Sequence, residues 1–157
     1  MGNKSLWGNT KSLLVVLNYV NDAQLKDYRK ALDQILDKSH VKKLTIVVIL
    51  PKEVDKATLH PHFLIYYHSP NDFSFWGQLK DVLLLKELEK KFDLLLWLGS
   101  KDHKIFDSVK TTECTRKVAV NCSDQQFFDM ELGMQTDQPA TLLNYVINTI
   151  NKIEVYE

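Results

Sequence analysis

GSKDH, residues 99–103, sets a glycine, a hydroxyl, an ammonium, a carboxylate and an imidazole side by side. Gly99, Ser100 and Lys101 at the entrance to a helix are the parts of an anion site, because unpaired backbone N–H groups and the helix dipole favour negative charge there. His103 is the histidine placed to serve as an acid or base, since imidazole titrates near neutrality. Ser100 fits equally well as the cap of the helix that follows. The established fingerprints of such chemistry are missing. NYVNDAQL, after the first apolar run, has no glycine and so cannot carry GxGxxG; GSKD lacks the GxxxxGK[ST] spacing; no GxSxG elbow accompanies His103. A conventional NAD or FAD site is not expected, and no cofactor is implied.

The remaining reactive residues point to less. His60, His62 and His68 lie close in sequence, yet a metal site needs three or four converging ligands with outer support. Solvated or edge histidines are the expectation, with no metal. Cys114 and Cys122 form no CxxC pair and are expected as reduced, partly buried thiols. Asn121-Cys122-Ser123 is formally a glycosylation sequon, a chance match in a chain expected in the cytoplasm. SPNDFSFWGQ, residues 69–78, has the composition of a loop but carries Phe73, Phe75 and Trp76. These rings are either a lid folded on the core or the contact surface of a partner or homodimer.

The elements that must position these residues follow from periodicity. Ser12 to Val20 and Leu44 to Leu50 are apolar, Val- and Leu-rich runs, as expected of strands covered on both faces. His62 to Tyr67, Asp93 to Leu98 and Lys117 to Val120 read as further strands. Phe128, Met130 and Leu132 alternate with Asp129 and Glu131, the pattern of an edge strand with one wet face. Helices are expected after Asn21 and Asp22 to about Lys38, over Leu79 to Lys91 with a stripe of Leu79, Val82, Leu83, Leu85 and Leu88, over 102–113, and from Pro139 onward. The alternation implies an α/β fold: a three-layer, Rossmann-like open sheet, mainly parallel, of five to six strands in the order 3-2-1-4-5 with the last strand outside. Such sheets take ligands beyond the C-terminal strand ends, where the chain reverses direction across the sheet. Here that puts Asn18, Asn21 and Asp22 opposite Gly99, Ser100, Lys101 and His103 as ligand-binding candidates.

Composition sets the outer bounds. A chain of 157 residues with 45% hydrophobic and 25% charged residues is long and apolar enough to fold as one domain, residues 1–157. No apolar run reaches the roughly 20 residues that cross a bilayer, and MGNKSLWGNTK lacks the apolar core and small-residue cleavage site of a secretory signal, so neither a leader nor a membrane role is expected. The net charge is zero but uneven. Residues 1–120 hold 19 Lys+Arg against 14 Asp+Glu, and 121–157 hold one Lys against six acids, as if an acidic end packed on a basic body. With two arginines, no zinc finger and no basic-aromatic motif, nucleic acid is not an expected partner.

FDLLLWLGS, a short strand, then FFDMEL with Asp129 thirty-six residues after Asp93, then a closing amphipathic helix, resembles an uncharacterised family of small Bacteroidetes-type bacterial proteins. The resemblance covers about the last 65 residues. The family's more basic N-terminal segment is reduced here to Lys4 and Lys11. It implies no activity, and it carries over Asp93 and Asp129 as positions of interest, each of which equally suits a cap or a strand edge.

Three classes of function stay open. The first is a small anionic or nucleotide-like ligand at the strand ends. The second is an interaction module or homodimer using Phe73, Phe75 and Trp76, and the third an enzyme whose polar groups are His103, Asp22 and Asp129.

Overall fold

The structure, a computed structural model, describes residues 5–74, 76, 78–100, 104–124 and 126–153. Lys101, Asp102, His103 and Phe75 therefore lie outside the described residues. Six strands form one parallel sheet: β1 (Ser12–Asn18), β2 (Lys43–Ile49), β3 (Ile65–His68), β4 (Phe92–Trp97), β5 (Cys114–Val120) and β6 (Met130–Leu132). Their order is β3-β2-β1-β4-β5-β6 and every neighbouring pair is parallel. Four helices, α1 (Asp22–Leu36), α2 (Val82–Leu88), α3 (Ile105–Lys110) and α4 (Pro139–Asn151), cover it. This is the Rossmann-like α/β arrangement expected from the alternation.

Successive side chains of a strand point to opposite faces, so a covered sheet needs apolar residues at every position. β1 meets that demand. Leu13, Val15 and Leu17 pack with α1 and α4, while Leu14 and Val16 pack with α2 and α3. α1 starts where the Asn21 side chain accepts the Gln24 N–H at 2.7 Å, and α4 starts at Pro139, whose missing N–H costs nothing in a first turn. Residues 5–10 close the α4 side: Leu6 and Trp7 are buried, and the Leu6 N–H donates to the Ile153 carbonyl at 2.7 Å.

Three expectations need correction. α2 is shorter than Leu79 to Lys91, and its buried face is Leu84 and Leu88; Val82, Leu83 and Leu85 of the expected stripe face solvent. A seven-residue helix has room for one buried stripe, and the sheet selects the positions a turn apart. Second, β5 begins at Cys114 rather than Lys117, and α3 ends at Lys110, because residues 114–116 already pair with β4. Third, among the described residues the acidic end meets a basic side chain in one ion pair, Lys110 with Asp124 at 3.7 Å. Asp129 and Glu131 instead accept backbone N–H groups, of Lys117 at 2.8 Å and of Asp124 at 2.6 Å.

The two aspartates of the FD pairs share one structural role. Phe92 and Phe128 are buried, and the carboxylate that follows each binds the backbone of the neighbouring strand. Asp93 Oδ2 accepts the N–H groups of Lys11 at 2.8 Å and Ser12 at 3.2 Å, while its own N–H donates to Ser12 Oγ at 2.8 Å. Asp129 accepts the Lys117 N–H and returns its own N–H to the Lys117 carbonyl at 2.8 Å. Each clamp fixes the register of adjacent strands. Asp93→Ala is expected to lower stability by about 1–3 kcal/mol, since it orphans two N–H groups bound by a charge. Urea unfolding measures it; Asp93→Asn, which keeps one acceptor oxygen, should lose less.

Candidate functional site

β1 ends at Asn18 and β4 at Trp97, the two strands from which the chain departs in opposite directions across the sheet. At their C-terminal ends a crevice of about 410 Å³ opens, lined by Asn18, Leu98, Gly99, Ser100 and, from the end of β5, Asn121, Cys122 and Ser123. A volume of that size suits a small metabolite.

Gly99 is closely surrounded. A Cβ at that position would lie 3.1 Å from Ile49 Cδ1, 3.4 Å from Asn18 Oδ1 and 3.5 Å from Trp97 Cζ2. Two of those neighbours hold buried polar atoms with no hydrogen-bond partner among the described residues, Asn18 Oδ1 and Trp97 Nε1. Such atoms are costly, about 1–3 kcal/mol each, so most folded proteins satisfy them.

The far wall is built from a strained turn. Asn121 has φ 57°, the left-handed region that asparagine tolerates better than other residues with a Cβ. Its carboxamide fastens the segment after β6, accepting the Met134 N–H and donating to the Met134 carbonyl, both at 2.9 Å. Ser123 Oγ donates to Glu131 Oε1 at 3.0 Å. The described lining carries no charged side chain, and the Glu131 carboxylate stands behind Ser123.

Of the residues singled out from sequence, Asn18, Gly99 and Ser100 line this crevice. Asn21 and Asp22 do not: Asn21 caps α1, and Asp22 Oδ1 accepts the Tyr19 hydroxyl at 2.6 Å. Lys101 and His103 fall outside the described residues. Of the grouping of His103, Asp22 and Asp129, the two described members are not brought together, because Asp22 follows β1 at the C-terminal end of the sheet while Asp129 stands beside Lys117, midway along β5, at an edge three strands from β1. Asp93, at the N-terminal end of β4, is equally remote from the crevice. Asn121, Cys122 and Ser123 were missed. The expected order placed the end of β5 beside β4, which was the available signal, but the triplet read only as a sequon.

The histidines differ from expectation in one case. His60 is exposed and the His62 ring stacks on Phe63, but His68 is 1% exposed, at the inner end of β3. Its ring meets Phe73 edge-on at 5.3 Å, and its Nδ1 lies 4.0 Å from Asp72 Oδ2. Burial works against the Asp72 carboxylate, but hydrogen bonds from Lys56 Nζ at 2.8 Å and the Ser69 N–H outweigh it and hold its pKa below the ordinary value. Phe73 is thus a ring folded inward, whereas Trp76 in the same loop is 83% exposed. Among the described residues no group of His, Cys, Asp or Glu has the makings of a metal site. Cys114 is buried at the start of β5, where desolvation raises its thiol to about 11, and Cys122 lies past the other end of the strand. The two are free.

A larger cleft, of about 590 Å³, separates the C-terminal ends of α1 and α4, with Trp7, Gln34, Asn144 and Asn148 along it. Its amides are exposed side chains that water satisfies, so size alone does not recommend it over the crevice at Gly99.

No helix among the described residues is long and apolar enough to cross a membrane. Comparison with curated proteins and with solved structures gives no match. A family model does match, over residues 4–153. The chain belongs to that family, a family of unknown function (DUF6913).

Proposed function

We propose that the protein binds a small nucleotide-like molecule in the crevice at the C-terminal ends of β1, β4 and β5. The observation that carries this reading is Asn18 Oδ1, a buried acceptor without a partner among the described residues, on a side chain that lines the crevice beside Gly99. An acceptor kept unpaired at such cost suits a ligand that brings the missing donor, as an amino group of a base or a hydroxyl of a sugar does. Among the described residues the lining is uncharged, and with the Glu131 carboxylate behind Ser123 it favours that donor-bearing part of the ligand over its anionic part. α3 has six residues and no side-chain cap, and supplies no strong phosphate cradle of its own.

Asn18→Leu separates the contributions of fold and ligand. Removing the orphaned acceptor is expected to stabilise the free protein by about 1 kcal/mol, the trade between stability and function common at binding sites. Adenosine should raise the melting temperature of the wild type and leave that of Asn18→Leu unmoved. A variant that is less stable than the wild type and still shifts with adenosine would refute the reading.

A further inference from the structure

We propose that a second copy of this chain docks on the outer edge of β3, the two β3 strands pairing antiparallel about a two-fold axis. Ile65, Tyr66 and Tyr67 all line one cleft of about 290 Å³. Consecutive strand residues point to opposite faces, so a cleft that touches all three runs along the edge of the strand. Phe63 and Leu83 wall it, 86% and 71% exposed, with Val82 beside them 60% exposed.

The backbone groups along this edge are set for pairing. The Leu64 carbonyl accepts the Ile46 N–H at 2.9 Å and the His68 carbonyl accepts the Leu50 N–H at 2.8 Å, so even-numbered residues face β2. Alternation turns the backbone of Ile65 and Tyr67 outward. The Ile65 N–H is taken by the His62 carbonyl at 3.0 Å, which leaves the Ile65 carbonyl and both groups of Tyr67 unpaired among the described residues. Two copies centred on Tyr67 exchange both N–H···O bonds, the closely bonded pair of an antiparallel ladder.

Exposed edges are ordinarily guarded by charge or brevity. β6, at the opposite edge, has both, with three residues and Glu131 in the middle. β3 is short as well, at four residues, but IYYH holds neither an acid nor a lysine. The occupant is a copy of the same chain because the surface complements itself. The cleft carries one charge of each sign, Lys56 Nζ and Asp81 Oδ2 3.4 Å apart, so a two-fold mate brings no unopposed like charge. A net charge of zero adds no repulsion between copies. The surface differs from the aromatic loop expected from sequence, since Phe73 packs inward on His68.

Sedimentation equilibrium of the full chain at micromolar concentration tests this directly. The wild type is expected at twice the 18.2 kDa chain mass. Phe63→Glu, Leu83→Glu and the two combined should give monomers with unchanged far-ultraviolet circular dichroism, each side chain being solvent-exposed in the single chain. Val20→Glu, on an exposed apolar residue outside the cleft, should leave the dimer intact. A monomeric wild type, or a dimer that survives Phe63→Glu with Leu83→Glu, overturns the proposal, including the case in which an unrelated partner takes the edge.

Discussion

Replacing Gly99 by valine is expected to cost about 1–3 kcal/mol of stability and to close the crevice to adenosine, because the added carbons enter space already bounded on three sides. The first of them meets Ile49 Cδ1 at 3.1 Å and Asn18 Oδ1 at 3.4 Å. Ile49 Cδ1 can yield slightly, being the end of a flexible side chain, but the branched methyl groups of valine would also crowd Asn18, whose side chain lines the crevice. Gly99→Ala should fall between, with stability close to wild type and weakened binding. Chemical denaturation and adenosine titration of the three proteins measure the two effects separately. Wild-type affinity in Gly99→Val would place the ligand elsewhere.

Trp97→Ala should be the most destabilising single change, at about 3–5 kcal/mol, the usual loss on truncating a large buried aromatic. Trp97 is 0% exposed, packs on Phe106 at a ring separation of 4.8 Å, and belongs to the cluster that fastens α2 and α3 to the sheet. Phe127 and Phe128 continue that stack through Phe106, so the void would reach the loop that forms the far wall of the crevice. A fall in melting temperature on the order of 10 °C is expected for a chain of this size. The unpartnered indole Nε1 makes Trp97→Phe the informative companion, as it discards an unpaired donor while keeping most of the packing. That variant should lose far less than Trp97→Ala.

The sheet was legible because both of its faces are buried, and burial writes itself as unbroken apolar runs such as LLVVL and TIVVI. Strand order followed from chirality and the reversal between β1 and β4, rules that need no side-chain detail. What stayed hidden depends on partners distant in sequence. Asp93 and Asp129 carry the same short local pattern as many solvated acids, and their clamps on Lys11, Ser12 and Lys117 exist only after the strands meet. α2 shows the same limit: VLLLKEL is apolar around most of its circumference, so periodicity alone could not pick Leu84 and Leu88 as the inward pair. Half of the crevice was within reach, since Asn18, Gly99 and Ser100 end adjacent strands. Asn121 was not, because its left-handed backbone and its grip on Met134 arise from the return of the chain along β6.

The central claim is that the crevice beside Gly99 is a ligand site for a donor-bearing, nucleotide-like molecule. Amide NMR of the ¹⁵N-labelled chain during titration with adenosine tests it most directly, with phosphate alone as the reference. The account predicts saturable shifts confined to the amides of Asn18, Leu98 to Ser100 and Asn121 to Ser123, and none of that pattern with phosphate. Shifts that cluster instead around Trp7, Asn144 and Asn148, or no saturable shift at all, would contradict it.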